Sequence, residues 1–96
     1  MCKKNPDYEP EIYQVAHYKG PLVDCWFTNA DVRRYDLSKW IAKGGCFAPL
    51  SSPKVMKQTI TVYEGTLAFD LKGNRDPFEI LDFEPQTVYD MGKSLI

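Results

Sequence analysis

The sequence predicts an α+β domain: a small antiparallel β-sheet built from hairpins, with two or three short helices. Runs rich in β-branched and aromatic residues occur in both halves of the chain, and turn residues separate neighbouring runs. Apolar residues take helical spacing in the segment YDLSKWIAKGG between these halves. Prolines stand where short helices begin, in SSPKVMKQ and EPQTVYDM. Hairpins combined with a few short helices are typical of the α+β class.

The first predicted strand is EIYQVAHYK, residues 11–19, which ends at Gly20-Pro21. Alternation divides this strand into two sides: Ile12, Gln14, Ala16 and Tyr18, against Tyr13, Val15 and His17. Residues 1–10 are polar and contain prolines, which indicates a flexible lead-in. Residues 11–96 are therefore expected to form the single domain.

The next two strands form the first predicted hairpin. The run LVDCWFT carries Val23, Cys25 and Phe27 on one face, which is the side expected to face the core. The turn TNAD follows, because Asn29 and Asp31 suit a tight reversal, and VRRY is the returning strand.

The first predicted helix follows that hairpin. Leu37, Trp40 and Ile41 recur at helical spacing, so they form one apolar face. Asp36 is the expected N-cap, and a glycine after Lys43 ends the helix. A second short helix is expected after Ser52-Pro53, since serine caps a helix and proline suits its first position.

The second half predicts another hairpin and a last helix. TITVY and TLAFDL are strands joined by the turn Glu64-Gly65, and EILDF is a sixth short strand. Pro85 then opens a helix, QTVYDM, which ends at Gly92.

The length and composition of the chain exclude several classes of protein. The 96 residues suffice for one domain, and twelve basic against thirteen acidic residues give a net charge of −1. A protein that binds nucleic acid directly usually carries a basic surplus, so no direct nucleic-acid partner is expected. The three cysteines include no C-x-x-C pair, and no apolar run is long enough to span a bilayer. A secretory signal is not recognisable either, so we expect a cytoplasmic protein without a membrane partner.

The stretch DLKGNRDPFEILDFEP concentrates carboxylates, but it does not match a calcium loop. Counting from Asp70, the third position is Lys72 and the twelfth is Leu81, where an EF-hand needs an oxygen ligand and a glutamate. No metal and no cofactor are therefore expected. We assign Asp36, Asp70, Asp76 and Glu84 to turns and helix starts, and Asp82 either to the polar side of a short strand or to the capping of a neighbouring turn. Arg75 is a nearby positive charge that could pair with Asp70, Asp76 or Asp82.

Two groups of side chains are candidates for interaction. Arg33 and Arg34 are predicted to point to opposite faces of one strand, which favours a solvated edge over an anion-binding patch. Most aromatic residues are expected in the core, but Tyr13, Trp26 and Tyr63 alternate against the core side of their strands. If all three lie on an outer sheet face, they form an exposed apolar patch of the kind that marks interaction surfaces. The alternative is that both sheet faces are covered.

The order of several segments resembles a bacterial family, the domain-of-unknown-function family 2442. The segments that carry the resemblance are WFTNADVRRYDLS, FAPL, TLAFDLKGNRD and ILDFEPQTVY, between residues 12 and 89. The resemblance implies a small α+β domain, found alone or attached to a helix-turn-helix domain. It implies no established enzymatic activity, and it suggests a toxin-like protein as partner.

The sequence therefore favours a non-catalytic protein-binding or adaptor domain, with a protein partner or self-association. One alternative is a regulatory domain associated with DNA-binding proteins. Another is an acid/base enzyme that uses Asp70, Asp82 and His17, the only histidine. A structural or surface role for His17 is favoured, because no nucleophile stands near it in the sequence.

Overall fold

The α+β fold is confirmed by the computed structural model, which describes residues 10–76 and 78–95. The strands are β1 Ile12–Lys19, β2 Leu22–Phe27, β3 Val32–Asp36, β4 Ile60–Tyr63, β5 Thr66–Phe69, β6 Leu81–Phe83 and β7 Lys93–Ser94. The helices are α1 Ser38–Lys43, α2 Pro53–Thr59, α3 Pro85–Met91 and a 3₁₀ helix, Gly45–Ser51. The expected lead-in lies outside the described residues except for Pro10, which is buried.

The strands form two antiparallel sheets. One has the order β1-β2-β3-β7 and the other the order β4-β5-β6. The backbone N–H of Ile12 donates to the carbonyl of Gly65 at 2.9 Å, so the start of β1 is joined to the turn between β4 and β5. Strand β7 was not predicted, because two residues are too few to show a period.

A β-bulge at Tyr13 changes which side chains of β1 face the core. Ile12 pairs with Phe27 and Gln14 pairs with Trp26, so Tyr13 is one extra residue in β1. Ile12 and Val15 consequently both pack in or against the core. The prediction that Ile12 shares a side with Gln14 and Ala16 is therefore wrong, since simple alternation takes no account of an inserted residue.

Phe83 is the aromatic centre of the core. Its ring contacts the rings of Phe69 in β5, Tyr35 in β3, and Trp40 and Phe47 in the helical region, with centroids 5.5–6.4 Å apart. Most of these contacts are edge-on or tilted, which is the favoured arrangement of aromatic pairs. This one side chain therefore holds both sheets and α1 together.

Helices α2 and α3 begin where the sequence predicts, but the predicted N-cap of α1 is wrong. Ser52 caps α2 by accepting from the Val55 N–H at 3.4 Å, and prolines occupy the first turns of α2 and α3. At α1 the N-cap is Leu37 and not Asp36. The Asp36 carboxylate instead accepts from the Ser38 N–H at 2.8 Å and from its hydroxyl at 2.6 Å, and these bonds lower the pKa of Asp36. No helix in the described ranges is long and apolar enough to cross a membrane.

Candidate functional site

The outer face of the β1-β2-β3 sheet carries the candidate site, which we call the open face. Because Val23, Cys25 and Phe27 point into the core, the alternate residues of β2 point outward. Cross-strand pairing places Gln14 and Val32 beside Trp26, and Ala16 and Arg34 beside Asp24. The open face consists of Gln14, Ala16, Tyr18, Asp24, Trp26, Val32 and Arg34.

Trp26 lies in the middle of one row of this face. Its side chain is partly exposed, and it belongs neither to the buried core nor to the partly buried residues that pack against the core. Its neighbours across the strands are the exposed Gln14 and the half-buried Val32. A tryptophan that the core does not use offers a large apolar surface to another molecule.

Arg34 is held in a fixed orientation in the row of the open face next to that of Trp26. Its guanidinium donates to both carboxylate oxygens of Asp24, at 2.7 and 3.0 Å. It also lies 3.5 Å from the centroid of the Tyr18 ring, a cation–π contact. The bonds to Asp24 raise the pKa of Arg34. Arg34 is therefore a charge-compensated, ordered part of the surface and not a free cation.

Arg33 lies on the opposite face of β3, as alternation predicts. It donates to Asp31 Oδ2 at 2.8 and 3.0 Å and to the Tyr89 carbonyl at 2.9 Å, so it binds α3 to β3. The prediction of a solvated edge is wrong, because β7 pairs with β3 on its outer side. Both arginines have partners within the chain, and neither contributes a free charge.

The three aromatic residues considered as one outer patch, Tyr13, Trp26 and Tyr63, do not lie on one sheet. Tyr13 is the bulged residue of β1 and is 57% exposed. Tyr63 belongs to β4 in the three-stranded sheet, where the guanidinium of Arg75 lies 5.3 Å from its ring centroid. Only Trp26 belongs to the open face. Tyr18 and Asp24 were missed there, because their role depends on Arg34, which comes near them only through strand pairing.

The acids of the second half bind backbone groups of their own loop. Asp70 accepts from the N–H groups of Gly73 and Arg75, each at 3.0 Å. Asp76 accepts from the Phe78 N–H at 2.9 Å. The guanidinium of Arg75 does not pair with these acids: it donates to the Val62 carbonyl at 3.0 Å and to the Thr61 hydroxyl at 3.3 Å.

The remaining acids do not converge on a common point. Asp82 is exposed on β6 opposite Ala68, and Glu84 stands at the N-cap of α3 without a side-chain capping bond. His17 belongs to the other sheet, where its Nε2 donates to the Gly20 carbonyl at 3.0 Å, since a carbonyl can only accept. Across residues 10–76 and 78–95, no group of histidine, cysteine and acidic residues is arranged to hold a metal ion.

Two cysteines differ sharply in environment. Cys25 is fully buried in β2, and burial, with a smaller effect of Asp24, raises the pKa of its thiol to about 12. Cys46 is exposed in the 3₁₀ helix. Cys25 is therefore a core residue without thiolate character at neutral pH.

Comparison with protein-family models, with curated proteins and with solved structures gave no significant match for this chain. The resemblance to the domain-of-unknown-function family 2442 accordingly stays a prediction. The chain's own residues are the basis for inferring what it does.

Proposed function

We propose that the chain is a non-catalytic protein-binding or adaptor domain that binds its protein partner through the open face. The observation that carries the proposal is that Trp26 and Arg34 lie in neighbouring rows of this face, with Arg34 held between Asp24 and Tyr18. Tryptophan, tyrosine and arginine are the residue types enriched where truncation costs most binding energy in protein interfaces.

The ordered state of Arg34 supports this proposal energetically. Ordering a long side chain on binding costs about 0.5–1.5 kcal/mol. Arg34 is already held by two hydrogen bonds and by the ring of Tyr18, which is itself 48% exposed. A partner that packs on this pair therefore loses less free energy to ordering than it would on a free arginine.

The charge of the open face favours a protein over a nucleic acid. Asp24 and Arg34 form an ion pair in which Arg34 Nε lies 2.7 Å from Asp24 Oδ1, so their charges neutralise each other. Binding to nucleic acid depends on uncompensated cations that replace counterions at the phosphates. A neutral face with exposed aromatic surface instead matches the composition of protein interfaces.

We also infer a reducing, cytoplasmic location, which the free thiols of Cys25 and Cys46 support. The family resemblance suggests a small toxin-like protein as the partner. Such a pairing requires the partner to present an apolar surface that covers Trp26.

Site-specific photo-crosslinking in the native cells tests the proposal. A photoreactive phenylalanine replaces Gln14 on the open face or, as the matched control, Gln58, which is also exposed but lies on α2. We expect a discrete adduct from position 14 only, lost when Trp26→Ala is added, while circular dichroism shows that the variant stays folded. No adduct from position 14, or the same adduct from both positions, would overturn the proposal.

A further inference from the structure

A second surface lies between α1 and α3, on the other side of the sheet from the open face. It is a cavity of about 260 Å³ lined by Tyr35, Lys39, Trp40, Lys43, Thr87 and Met91. A neighbouring cavity of about 180 Å³ shares four of these residues and extends to Asp36 and Ser38. We call the two together the α1–α3 groove.

The floor of the groove is a fixed aromatic surface. Trp40 Nε1 donates to the Tyr35 hydroxyl at 2.9 Å, and the indole packs against Phe47 and Phe83 at 5.3 and 5.5 Å between centroids. Met91 forms part of the wall and is 61% exposed, so its side chain is accessible to another molecule. Flexible methionines can adapt to different apolar side chains at binding surfaces.

The rim of the groove is basic. Lys39 and Lys43 stand one helical turn apart, so they lie on the same side of α1. The Lys43 ammonium lies 4.8 Å from the Trp40 ring centroid, and neither lysine forms an ion pair in the part of the chain that the structure describes. Asp36 also lines the groove, and it keeps its negative charge because its two hydrogen bonds come from the neutral Ser38. Two ammonium groups against one carboxylate give the described lining of the groove a net positive charge.

We propose that the α1–α3 groove binds an acidic peptide segment of a protein partner. An apolar side chain of the segment packs on Trp40 and Met91, and its carboxylates meet Lys39 and Lys43. The charge complementarity selects an acidic occupant, whereas the apolar floor selects one that also carries a hydrophobic residue. A nucleic acid is a poorer occupant, because its affinity for a protein rises with the number of phosphates that cations neutralise. The groove offers two cations, on a chain whose net charge is −1. This site is separate from the open face and does not depend on the function proposed for it.

The two tryptophans, Trp26 and Trp40, make the test selective. In a Trp26→Phe protein the only indole is the floor of the groove, so its fluorescence reports on this site alone. The probe is a short capped peptide with a central leucine flanked by glutamates, and the control peptide has glutamines in their place. We expect saturable change of the emission with the glutamate peptide and about fivefold weaker binding of the glutamine peptide, as for two exposed ion pairs.

A matched pair of protein variants completes the experiment. Lys39→Gln with Lys43→Gln should weaken binding of the glutamate peptide about fivefold, whereas Lys54→Gln with Lys57→Gln removes the same charge from α2 and should leave it unchanged. Equal loss in both variants, equal affinity for both peptides, or no saturable change would each overturn the proposal. So would stronger binding of random duplex DNA than of the glutamate peptide, or a dimer mass in light scattering that falls to the monomer mass in the Lys39→Gln, Lys43→Gln variant.

Discussion

The guanidinium of Arg33 lies 3.9 Å from the centroid of the Tyr89 ring and donates to the Tyr89 carbonyl at 2.9 Å. One arginine thus binds both the ring and the backbone of a residue 56 positions away. A further partner, Asp31, stands in the turn between β2 and β3, and the Tyr89 ring packs edge-on against Phe27 at 5.1 Å. Arg33 and Tyr89 therefore attach helix α3 to β2, β3 and the turn between them.

Replacing Arg33 should loosen α3 selectively. Arg33→Gln removes the cation–π contact and the bonds to Asp31 and Tyr89, which we expect to cost about 1–2 kcal/mol of unfolding free energy. Hydrogen exchange at the amides of Val88 and Gly92, which donate within α3, should become faster. Arg34→Gln is the matched control, because it removes the same charge from the opposite face; equal acceleration in both variants would contradict the role of Arg33.

Stability should fall in acid partly through Asp31. Hydrogen bonds from Arg33, with a smaller contribution from the Tyr89 hydroxyl, hold the pKa of Asp31 below its ordinary value. The native state then binds this proton less tightly than the unfolded chain. Its contribution is complete above the ordinary aspartate pKa of about 4 and is lost as pH falls through the lower native value.

Urea titrations at successive pH values measure this effect. The free energy of unfolding of Asp31→Asn should decline less steeply below about pH 4 than that of the wild type. Asp82→Asn is the control, because the side chain of Asp82 is exposed and makes no hydrogen bond or ion pair with the residues that the structure describes. Identical pH profiles for Asp31→Asn and the wild type would show that Asp31 is not a source of acid sensitivity.

The first hairpin turn should become more stable with glycine at position 30. Ala30 has φ of +72°, a left-handed conformation that costs an L-residue about 1–2 kcal/mol. Glycine relieves this strain but adds unfolded-state entropy, so we expect Ala30→Gly to gain about 0.5–1 kcal/mol. Ala42→Gly, at an exposed position in α1, should instead lower the free energy of unfolding by about 1 kcal/mol. Thermal melts of the two variants that shift in the same direction would count against this interpretation.

The aromatic centre should tolerate loss of the Phe83 ring poorly. Phe83→Leu removes ring contacts to four aromatic residues, and we expect a cost of about 1–3 kcal/mol. Phe78→Leu is the matched control, since Phe78 is 95% exposed and its change should stay within about 0.5 kcal/mol. Chemical denaturation decides the point, and similar midpoints for the two variants would refute a central role of Phe83.

The two described thiols should react at very different rates. With a pKa of about 12, Cys25 has almost no thiolate at pH near 8, and its side chain is fully buried. Iodoacetamide should therefore modify Cys46 in the native protein and Cys25 only after unfolding, as peptide mass mapping can show. Modification of Cys25 at the rate of Cys46 without denaturant would be incompatible with its burial.

Local patterns were sufficient for most elements of the fold. Strand alternation placed Val23, Cys25 and Phe27 in the core, and Ser52-Pro53 and Pro85 marked the starts of two helices. These features depend on residues a few positions apart, so a single sequence contains the information for them. The bulge at Tyr13 is not local in this sense, because it exists only relative to the partner strand β2.

Sequence patterns alone predicted the α+β class and the order of the six longer strands, and they excluded a calcium-loop pattern in the acidic stretch. Which charges have partners and which surfaces stay open depends on the folded chain. Arg34 makes a cation–π contact with Tyr18, and Arg75 donates a hydrogen bond to the Val62 carbonyl. Met91 and Trp40 line the same groove between α1 and α3. Each of these encounters joins segments that are distant in the chain, and its free energy arises only when strand pairing and the packing of Phe83 bring those segments together.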